Sequence, residues 1–302
     1  MFALETRELR KSYDEKTVVN NVNLKVNEGD IFGFLGKNGA GKSTLINIVT
    51  GVINPTSGTF KILGETKIDD DQTKRRIGVL PDYSTFYDEL TPLQHLKYFS
   101  QIMKIKKTKK ELISLLDKVG LKEEANVKTK KFSFGMKKKL GIAQALINDP
   151  ELIFLDEPTS GVDANSAIII QDIIKQLCQS GKTIFLTSHN LNEIQKICSQ
   201  IAIMKEGTIQ AQGSMEELRK KYQNSITVHI KHSEINDKQK KLLIPILQKH
   251  EINTVWEKNK MIVDVPNDEK IPVITKSLMK LDIDVYRVEI MEKSLEDIFL
   301  EL

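Results

Sequence analysis

A short apolar segment that runs directly into a glycine-rich turn is the feature that most constrains the fold of this chain. Residues 30–35 read Asp-Ile-Phe-Gly-Phe-Leu, which is typical of a buried strand, and residues 36–44 read Gly-Lys-Asn-Gly-Ala-Gly-Lys-Ser-Thr. Helical periodicity follows over residues 42–52. The pattern G-x-x-x-x-G-K followed by Ser or Thr, between a strand and a helix, predicts a loop that binds the phosphate groups of a nucleotide.

Each part of this loop has a chemical role. Glycines allow a tight turn whose backbone amides point at phosphate oxygens, and the start of the following helix adds the positive end of its dipole. We expect Lys42 to reach the β and γ phosphates and to act in catalysis, Ser43 to place its hydroxyl on Mg²⁺, and Thr44 to contact the α phosphate. The candidate nucleotide-binding residues of the loop are Gly36, Asn38, Gly39, Ala40, Gly41, Lys42, Ser43 and Thr44.

A second apolar strand pattern ends in two adjacent carboxylates. Residues 152–155 are Leu-Ile-Phe-Leu, and Asp156 and Glu157 follow. We expect Asp156 to hold Mg²⁺ through water and Glu157 to activate the attacking water as general base, because phosphoryl transfer depends chiefly on positioning. The alternative is that the pair only caps the next helix. His189 follows the strand pattern 183–187, so it should lie at the carboxyl edge of the sheet, near the γ phosphate and Glu157.

Strand patterns recur over the first 222 residues, with helices between the later ones. They fall at residues 3–13, 16–26, 30–35, 76–80, 151–155, 183–187 and 200–204. Apolar strands separated by helices predict a mainly parallel sheet covered on both faces, and hence an α/β fold with a P-loop NTPase core. Between residues 82 and 149 only helical periodicity is found, at 92–103, 109–119 and 135–147, which predicts an inserted helical subdomain.

The pattern changes again after residue 222. Strand 225–232, helix 237–250, strands 253–257 and 260–265, helix 270–281 and strand 284–289 follow one another. This βαββαβ order predicts a ferredoxin-like α+β domain, and a last helix is expected at 294–302. We therefore expect two domains, an ATP-binding domain at 1–222 and an accessory domain at 223–302. The second contains no catalytic constellation, which favours a structural or regulatory role.

Charge and composition narrow the function classes. The chain has 302 residues, with 45 basic and 41 acidic side chains, and this near balance argues mildly against a nucleic-acid binder. The lysine runs 104–110 and 128–139 are interpreted on balance as solvated faces, with a nucleic-acid or lipid surface as the alternative. There is no run of 18 apolar residues, no apolar signal-peptide stretch at the start, and only two cysteines, without zinc or redox spacing. We expect a chain in a reducing cytosol whose membrane role, if any, comes through partners.

Together these motifs resemble those of the ATP-binding subunits of ABC transporters, and the resemblance covers residues 1–222. Residues 160–163, Ser-Gly-Val-Asp, look like the D-loop of that family, and His189 looks like its switch histidine. Tyr13 falls where the family stacks an aromatic ring on adenine, so the resemblance implies that Tyr13 binds the nucleotide.

Residues 132–136, Phe-Ser-Phe-Gly-Met, occupy the place of the family signature LSGGQ and keep only Ser133 and Gly135 of it. In the family this segment opens a helix and binds the γ phosphate of ATP held by the opposite subunit. The resemblance therefore implies a nucleotide contact for Ser133 and Gly135, which a hydroxyl and backbone amides at a helix start can supply.

Two further positions bear on the resemblance. Asp82 stands where the family commonly has a glutamine after the strand 76–80. An acid there is expected either to hold Mg²⁺ or its water network through a shorter arm, or to leave that contact unmade. The ending 294–302 looks like the tail of the drug- and antibiotic-export branch, whose ATPases pair with a separate six-helix membrane subunit.

The resemblance implies an ATPase subunit of an ABC exporter on the cytoplasmic face of the cell membrane. Its expected ligands are ATP and Mg²⁺, and its expected partners are an integral membrane permease and a second ATP-binding subunit, either an identical copy or a paralogue. ATP would be held between Lys42 of one subunit and Ser133 of the other. One alternative is a soluble relative that acts on nucleic acid or ribosomes, although such relatives usually carry two cassettes, zinc-binding cysteines or long coiled coils. The other is a regulatory module without turnover.

Overall fold

The computed structural model describes residues 1–66, 71–83, 85–222, 226–250 and 252–291. The chain divides into two compact units, residues 1–215 and 216–302. The domain limit after residue 222, which stays a prediction, coincides with the end of helix Met215–Tyr222. No helix in these ranges is both long enough and apolar enough to cross a membrane.

The first unit contains both strands and helices. In chain order its elements are β1 (Phe2–Tyr13), β2 (Lys16–Asn27), β3 (Ile31–Leu35), α1 (Lys42–Val49), β4 (Ser57–Ile62), α2 (Asp71–Arg75), β5 (Ile77–Leu80), α3 (Pro92–Ile102), α4 (Lys109–Lys118), α5 (Phe134–Ala145), β6 (Leu152–Asp156), α6 (Ala164–Gln179), β7 (Thr183–Ser188), α7 (Leu191–Ile197), β8 (Gln200–Lys205) and β9 (Thr208–Gly213); α8 (Met215–Tyr222) follows.

Six of these strands form one sheet in the order β5-β6-β7-β3-β8-β9. The first five are parallel and β9 runs antiparallel to β8. Strands β3, β6 and β7 are buried along their whole length, as expected for strands covered on both faces. The predicted mainly parallel sheet is therefore confirmed.

Phenylalanine rings hold the middle of this sheet together. Phe185 on β7 lies with its ring centroid 5.4–5.6 Å from those of three others, Phe32, Phe34 and Phe154. All four side chains are fully buried. Burial of one such ring contributes about 1.5–3 kcal/mol, so this cluster fixes the spacing of the strands that carry the candidate site.

The order of the strands decides which loops meet. Strands β5, β6, β7 and β3 are consecutive neighbours and parallel, so the segments after their carboxyl ends share one edge of the sheet. Those segments begin with Pro81, Glu157, His189 and Gly36. Four stretches that are far apart in sequence are thereby brought to one place.

Helices α3, α4 and α5 lie between β5 and β6. Thr91 and Thr108 precede α3 and α4 as the N-caps of capping boxes. In each box the side chain of Gln94 or Glu111 accepts a hydrogen bond from the backbone amide of the capping threonine. Ser133 caps α5 by accepting a hydrogen bond from the amide of Met136. These caps satisfy amides at the helix starts that have no partner within the helix.

A separate antiparallel sheet, in the order β2-β1-β4, completes the first unit. The sequence patterns did not predict β4 and β9, nor the helices α2 and α8. β4 and β9 each carry only two apolar side chains in alternation, Phe60 and Ile62 in β4 and Ile209 and Ala211 in β9, so the strand signal in the sequence is short. The predicted helix 42–52 ends early, at Val49, because Thr50 and Gly51 terminate it and Gly51 has φ +76°.

The second unit has the predicted βαββαβ order. Its elements are β10 (Ile226–His232), α9 (Asp237–Lys249), β11 (Asn253–Glu257), β12 (Lys260–Val265), α10 (Ile271–Lys280) and β13 (Val285–Met291). The strands form an antiparallel sheet in the order β11-β12-β10-β13, with a core that includes Val228, Leu243, Val263 and Leu278. The α+β prediction is confirmed, whereas the helix expected at 294–302 lies outside the described residues.

Candidate functional site

Two glycines let the phosphate loop pass close to neighbouring strands. Gly41 has φ +107°, and a Cβ on it would lie 2.5 Å from the carbonyl oxygen of Val18 in β2. A Cβ on Gly36 would lie 2.6 Å from the carbonyl oxygen of Met204 in β8. Since real side chains avoid both the backbone conformation at Gly41 and these distances, the loop requires glycine at both positions.

Lys42 lies at the centre of the site. Its side chain is buried, and its Nζ donates a hydrogen bond to the carbonyl oxygen of Gly36 at 2.6 Å. The same ammonium lies 3.4 Å from Oε1 of Glu157. Lys42 therefore connects the phosphate loop after β3 with the acidic end of β6. It places a positive charge beside Gly36, the first residue of the loop.

Glu157 is held from several sides. Its Oε2 lies 2.8 Å from Nδ1 of His189, and its amide donates to Oγ1 of Thr187 at 3.0 Å. The hydroxyl of Thr187 in turn donates to Oδ1 of Asp156 at 2.5 Å. Thr187 thus fixes both members of the acidic pair, and sequence reasoning missed it because a threonine near the end of an apolar strand carries no signal of its own.

A cavity of about 190 Å³ joins the loop to the acid. Its lining includes eight of the predicted site residues, together with two residues that were not predicted, Val18 and Lys37. The predicted ones are Asn38, Gly39, Gly41, Lys42, Ser43, Thr44, Asp82 and Glu157. Gly36, Ala40, Asp156 and His189 lie beside it, bonded to or adjacent to the residues that line it.

Lys138 is a site residue that the sequence analysis placed on a solvated face. Instead it is buried, and its Nζ donates to the carbonyl oxygens of Glu157 at 2.8 Å and Asp82 at 2.9 Å. That interpretation of the lysine run 128–139 is therefore wrong at this position. The reason is tertiary, because Lys138 faces the loops after β5 and β6 whereas Lys137 and Lys139 on the same helix are only partly buried.

Ser133 and Gly135 lie apart from the cavity, at the start of α5. The hydroxyl of Ser133 accepts from the amide of Met136 at 3.2 Å, and the serine side chain is exposed. Gly135 packs against Ser166 of α6, whose Oγ would lie 2.6 Å from a Cβ at position 135. The exposed ring of Phe134 lies against Gly161 in the segment that precedes α6.

Tyr13 ends β1 and is half exposed. The ammonium of Lys11 lies 5.0 Å from the centre of its ring, a cation–π contact. Tyr13 does not line the cavity, so its contact with adenine stays a prediction.

The oxygen groups of the site fit Mg²⁺ that is bound together with phosphate. Among the described residues no three or more His, Cys, Asp and Glu side chains form a metal-binding cluster. Mg²⁺ keeps several waters and takes one or two carboxylates plus substrate phosphates, so the sparse set of Ser43, Asp82 and Asp156 suits it. Oε1 of Glu157 is buried and accepts no hydrogen bond from the described part of the chain, which leaves it available to a water molecule.

Comparison with known families agrees with this geometry. The sequence profile of the ABC transporter family matches residues 19–160, and that of the C-terminal domain of DrrA1-3-like ATP-binding proteins matches residues 213–302.

Several curated relatives match over almost the whole chain. The bacitracin transport ATP-binding protein BcrA of Bacillus licheniformis is 34% identical over 99% of this chain and 96% of its own. The linearmycin resistance ATP-binding protein LnrL of Bacillus subtilis (strain 168) is 30% identical, over 99% and 97%. These names give no support to the nucleic-acid alternative.

Solved structures agree as well. An ATP-binding subunit of an ABC transporter superposes with a TM-score of 0.66 at 27% identity, over 73% of this chain and 93% of that chain. A dimeric ATP-binding cassette in a post-hydrolysis state with ADP and Pi gives 0.64 at 26% identity, over 70% and 98%. The chain therefore belongs to the ATP-binding proteins of ABC transporters, and it is an ATPase that drives transport.

Proposed function

We propose that Glu157 is the general base of this ATPase and that the cavity beside it binds the phosphates of ATP. The observation that carries this proposal is the position of the Glu157 carboxylate between Lys42, 3.4 Å away, and His189, 2.8 Å away. One carboxylate oxygen, Oε2, is oriented by His189. The other, Oε1, is buried near the ammonium of Lys42 but accepts no hydrogen bond from the described residues. A water molecule bound at that oxygen is polarised toward the γ phosphate.

The remaining groups orient the substrate. Amides of residues 37–44 bind phosphate oxygens, and Lys42 neutralises charge on the β and γ phosphates. Ser43 and Asp156, with Asp82 at the edge of the cavity, would hold Mg²⁺, which supplies further charge neutralisation when it is bound. Thr187 keeps Asp156 in place, and His189 contacts the γ phosphate from its exposed side. Tyr13 stacks on adenine.

A second ATP-binding subunit, either an identical copy or a paralogue, completes each site. Ser133 and Gly135 are outside the cavity of their own subunit but at the start of a helix, with the Ser133 side chain exposed. A helix start favours bound anions. We place the γ phosphate of the partner's ATP there, so that ATP draws the two subunits together and hydrolysis releases them.

The transporter is an exporter with a separate integral membrane permease, and the chain acts at the cytoplasmic face of the cell membrane. Support comes from relatives named for bacitracin transport and linearmycin resistance, which match over nearly the full chain. The match of residues 213–302 to the DrrA-like C-terminal domain extends the similarity beyond the ATPase unit.

The decisive experiment compares the wild-type chain with Glu157→Gln. The variant keeps the shape of the side chain but cannot accept a proton from water, so we expect phosphate release to fall by about 100-fold or more. ATP with Mg²⁺ should then trap a dimer, visible by size-exclusion chromatography. Asp172→Asn, which alters an exposed acid on α6, is the control. Unchanged phosphate release in Glu157→Gln would remove the assignment of the base.

A further inference from the structure

The buried ammonium of Lys138 joins three segments of the first unit. Lys138 is in the second turn of α5, and its side chain is 3% exposed. Its Nζ donates to the carbonyl oxygen of Glu157 at 2.8 Å and to that of Asp82 at 2.9 Å, and it lies 3.4 Å from Oδ1 of Asp82. The ring centre of Phe134 is 5.6 Å from the same atom.

Burying a charged group at this position has a free-energy cost that its polar contacts must offset. Burial of an unpaired ammonium is strongly unfavourable, and a buried ion pair is often no more stable than apolar side chains of similar volume. If the position only had to be filled, a methionine or leucine would pack there without that cost. The ammonium instead has acceptors in both adjoining loops.

The backbone of Glu157 needs such support. Glu157 has φ +49°, the left-handed region that residues with a Cβ seldom adopt. Strained residues of this kind persist when their surroundings hold them in place. Thr187 holds the amide of Glu157 and Lys138 holds its carbonyl oxygen, while Lys42 and His189 contact the carboxylate.

We infer that Lys138 is a positioning residue of the ATPase. It fixes the main chain of Glu157 and the Asp82 loop relative to the start of α5, where Ser133 and Gly135 lie. A movement of α5 that accompanies binding of the partner's nucleotide is therefore passed to the base through one ammonium. This inference rests on the proposed role of Glu157 and adds a coupling residue outside the phosphate loop.

The test compares three variants of the full chain. Lys138→Met keeps the length and bulk of the side chain without donors, and Lys138→Gln keeps two donors for the two carbonyl oxygens. Lys139→Met changes the neighbouring, partly exposed lysine and is the control. Steady-state ATPase gives kcat and KM, a fluorescent ATP analogue with Mg²⁺ gives affinity, and thermal unfolding reports folding.

We expect Lys138→Met to lower kcat by about 10- to 100-fold while KM and nucleotide affinity stay within about threefold of wild type. Lys138→Gln should recover a large part of that loss, and Lys139→Met should match wild type. The inference is overturned by wild-type kcat in Lys138→Met. It is also overturned if kcat, affinity and thermal stability fall together and Gln does no better than Met.

The design separates this inference from the proposed base. If Glu157→Gln hydrolyses ATP as fast as wild type, the assignment of Glu157 fails whatever the Lys138 variants do. If Glu157→Gln is inactive and Lys138→Met is fully active, only the inference about Lys138 fails. Should Lys138→Met not fold, Lys138→Leu takes its place as the variant without donors. A lower kcat at unchanged affinity in that variant supports the inference, and wild-type kcat refutes it.

Discussion

His189 and Glu157 share a short contact but differ in access to solvent. Nδ1 of His189 lies 2.8 Å from Oε2 of Glu157, with the histidine side chain 50% exposed and the glutamate side chain 10% exposed. Contact with the ring restricts rotation of the carboxylate, so Oε1 faces Lys42. Because half of the imidazole is exposed, the ring can also contact substrate. His189 thus lies between the buried base and the open side of the cavity.

Replacing His189 with alanine should therefore lower turnover more than binding. The carboxylate of Glu157 would lose the group that fixes its orientation, and we expect kcat to fall by about 100-fold. The affinity for ATP should change much less, because Lys42 and the loop amides remain. Steady-state kinetics and nucleotide titration measure the two effects. His229→Ala, in the second unit, is the control, and equal loss in both variants would contradict the assigned contact.

Thr187→Val tests the support of the acidic pair. The two side chains have the same shape, but valine neither donates to Asp156 nor accepts from the amide of Glu157. Because Thr187 is fully buried, we expect the free energy of unfolding to fall by about 1–3 kcal/mol. Denaturant unfolding monitored by fluorescence and ATPase assays measure the effects. Thr187→Ser keeps the hydroxyl and should retain most of the activity; a serine variant as inactive as the valine variant would show that the hydroxyl is not the cause.

The sequence indicated which candidate site residues would lie near one another where each residue follows an apolar strand. Parallel strands end at a common edge, so the segments beginning at Gly36, Glu157 and His189 could be placed together before any contact was known. That rule brings the loop containing Lys42 and the end of β6 to one edge, and the contact between Lys42 and Glu157, 115 positions apart in the chain, lies at that edge.

Other contacts depend on tertiary packing that leaves no local trace. Lys138 belongs to a run of similar lysines, and its burial depends on how α5 packs against the loops after β5 and β6. The approach of Val18 to the phosphate loop depends on where β2 lies, which no motif specifies. Strand β4 was missed for a related reason, since it gains its partner β1 from more than 40 residues away in sequence.

Gly41→Ala should impair nucleotide binding through backbone strain and a steric clash. Gly41 combines φ +107° with the 2.5 Å approach to the Val18 carbonyl oxygen, so the loop has to move to accept a Cβ. We expect affinity for ATP to fall by about 10-fold or more, since binding depends on the orientation of the loop amides toward the phosphate oxygens. Gly181→Ala is a matched control, with φ +90° but no atom within 4 Å. It should lose some stability and keep its affinity; if Gly41→Ala also bound ATP normally, the steric argument would be refuted.

Asp82→Gln tests the residue at the edge of the cavity. The backbone contact with Lys138 remains, but the charged contact of Oδ1 is lost and a longer amide enters the cavity. We expect the Mg²⁺ concentration for half-maximal ATPase activity to shift by up to about 10-fold. A magnesium titration of ATPase rate measures it. Unchanged rate and unchanged magnesium dependence would show that Asp82 serves neither the metal nor its water.

Glu89 should make stability depend on pH through its two lysine partners. Hydrogen bonds from Lys128 and Lys130, at 2.6 and 2.7 Å, lower the pKa of Glu89 from 4.5 to about 2. A carboxyl whose pKa is lower in the folded state stabilises that state above its unfolded pKa, and this contribution disappears as pH falls toward the folded pKa.

Glu89→Gln removes this contribution. Thermal unfolding measured from about pH 7 down to about pH 2 should therefore give wild type a higher melting temperature than the variant above about pH 5. This gap in melting temperature should close as the pH falls. The carboxylate is exposed, so the gap should be small and shrink further in high salt. A Glu89→Gln gap that persisted unchanged at the acid end would exclude the ion pairs as its cause.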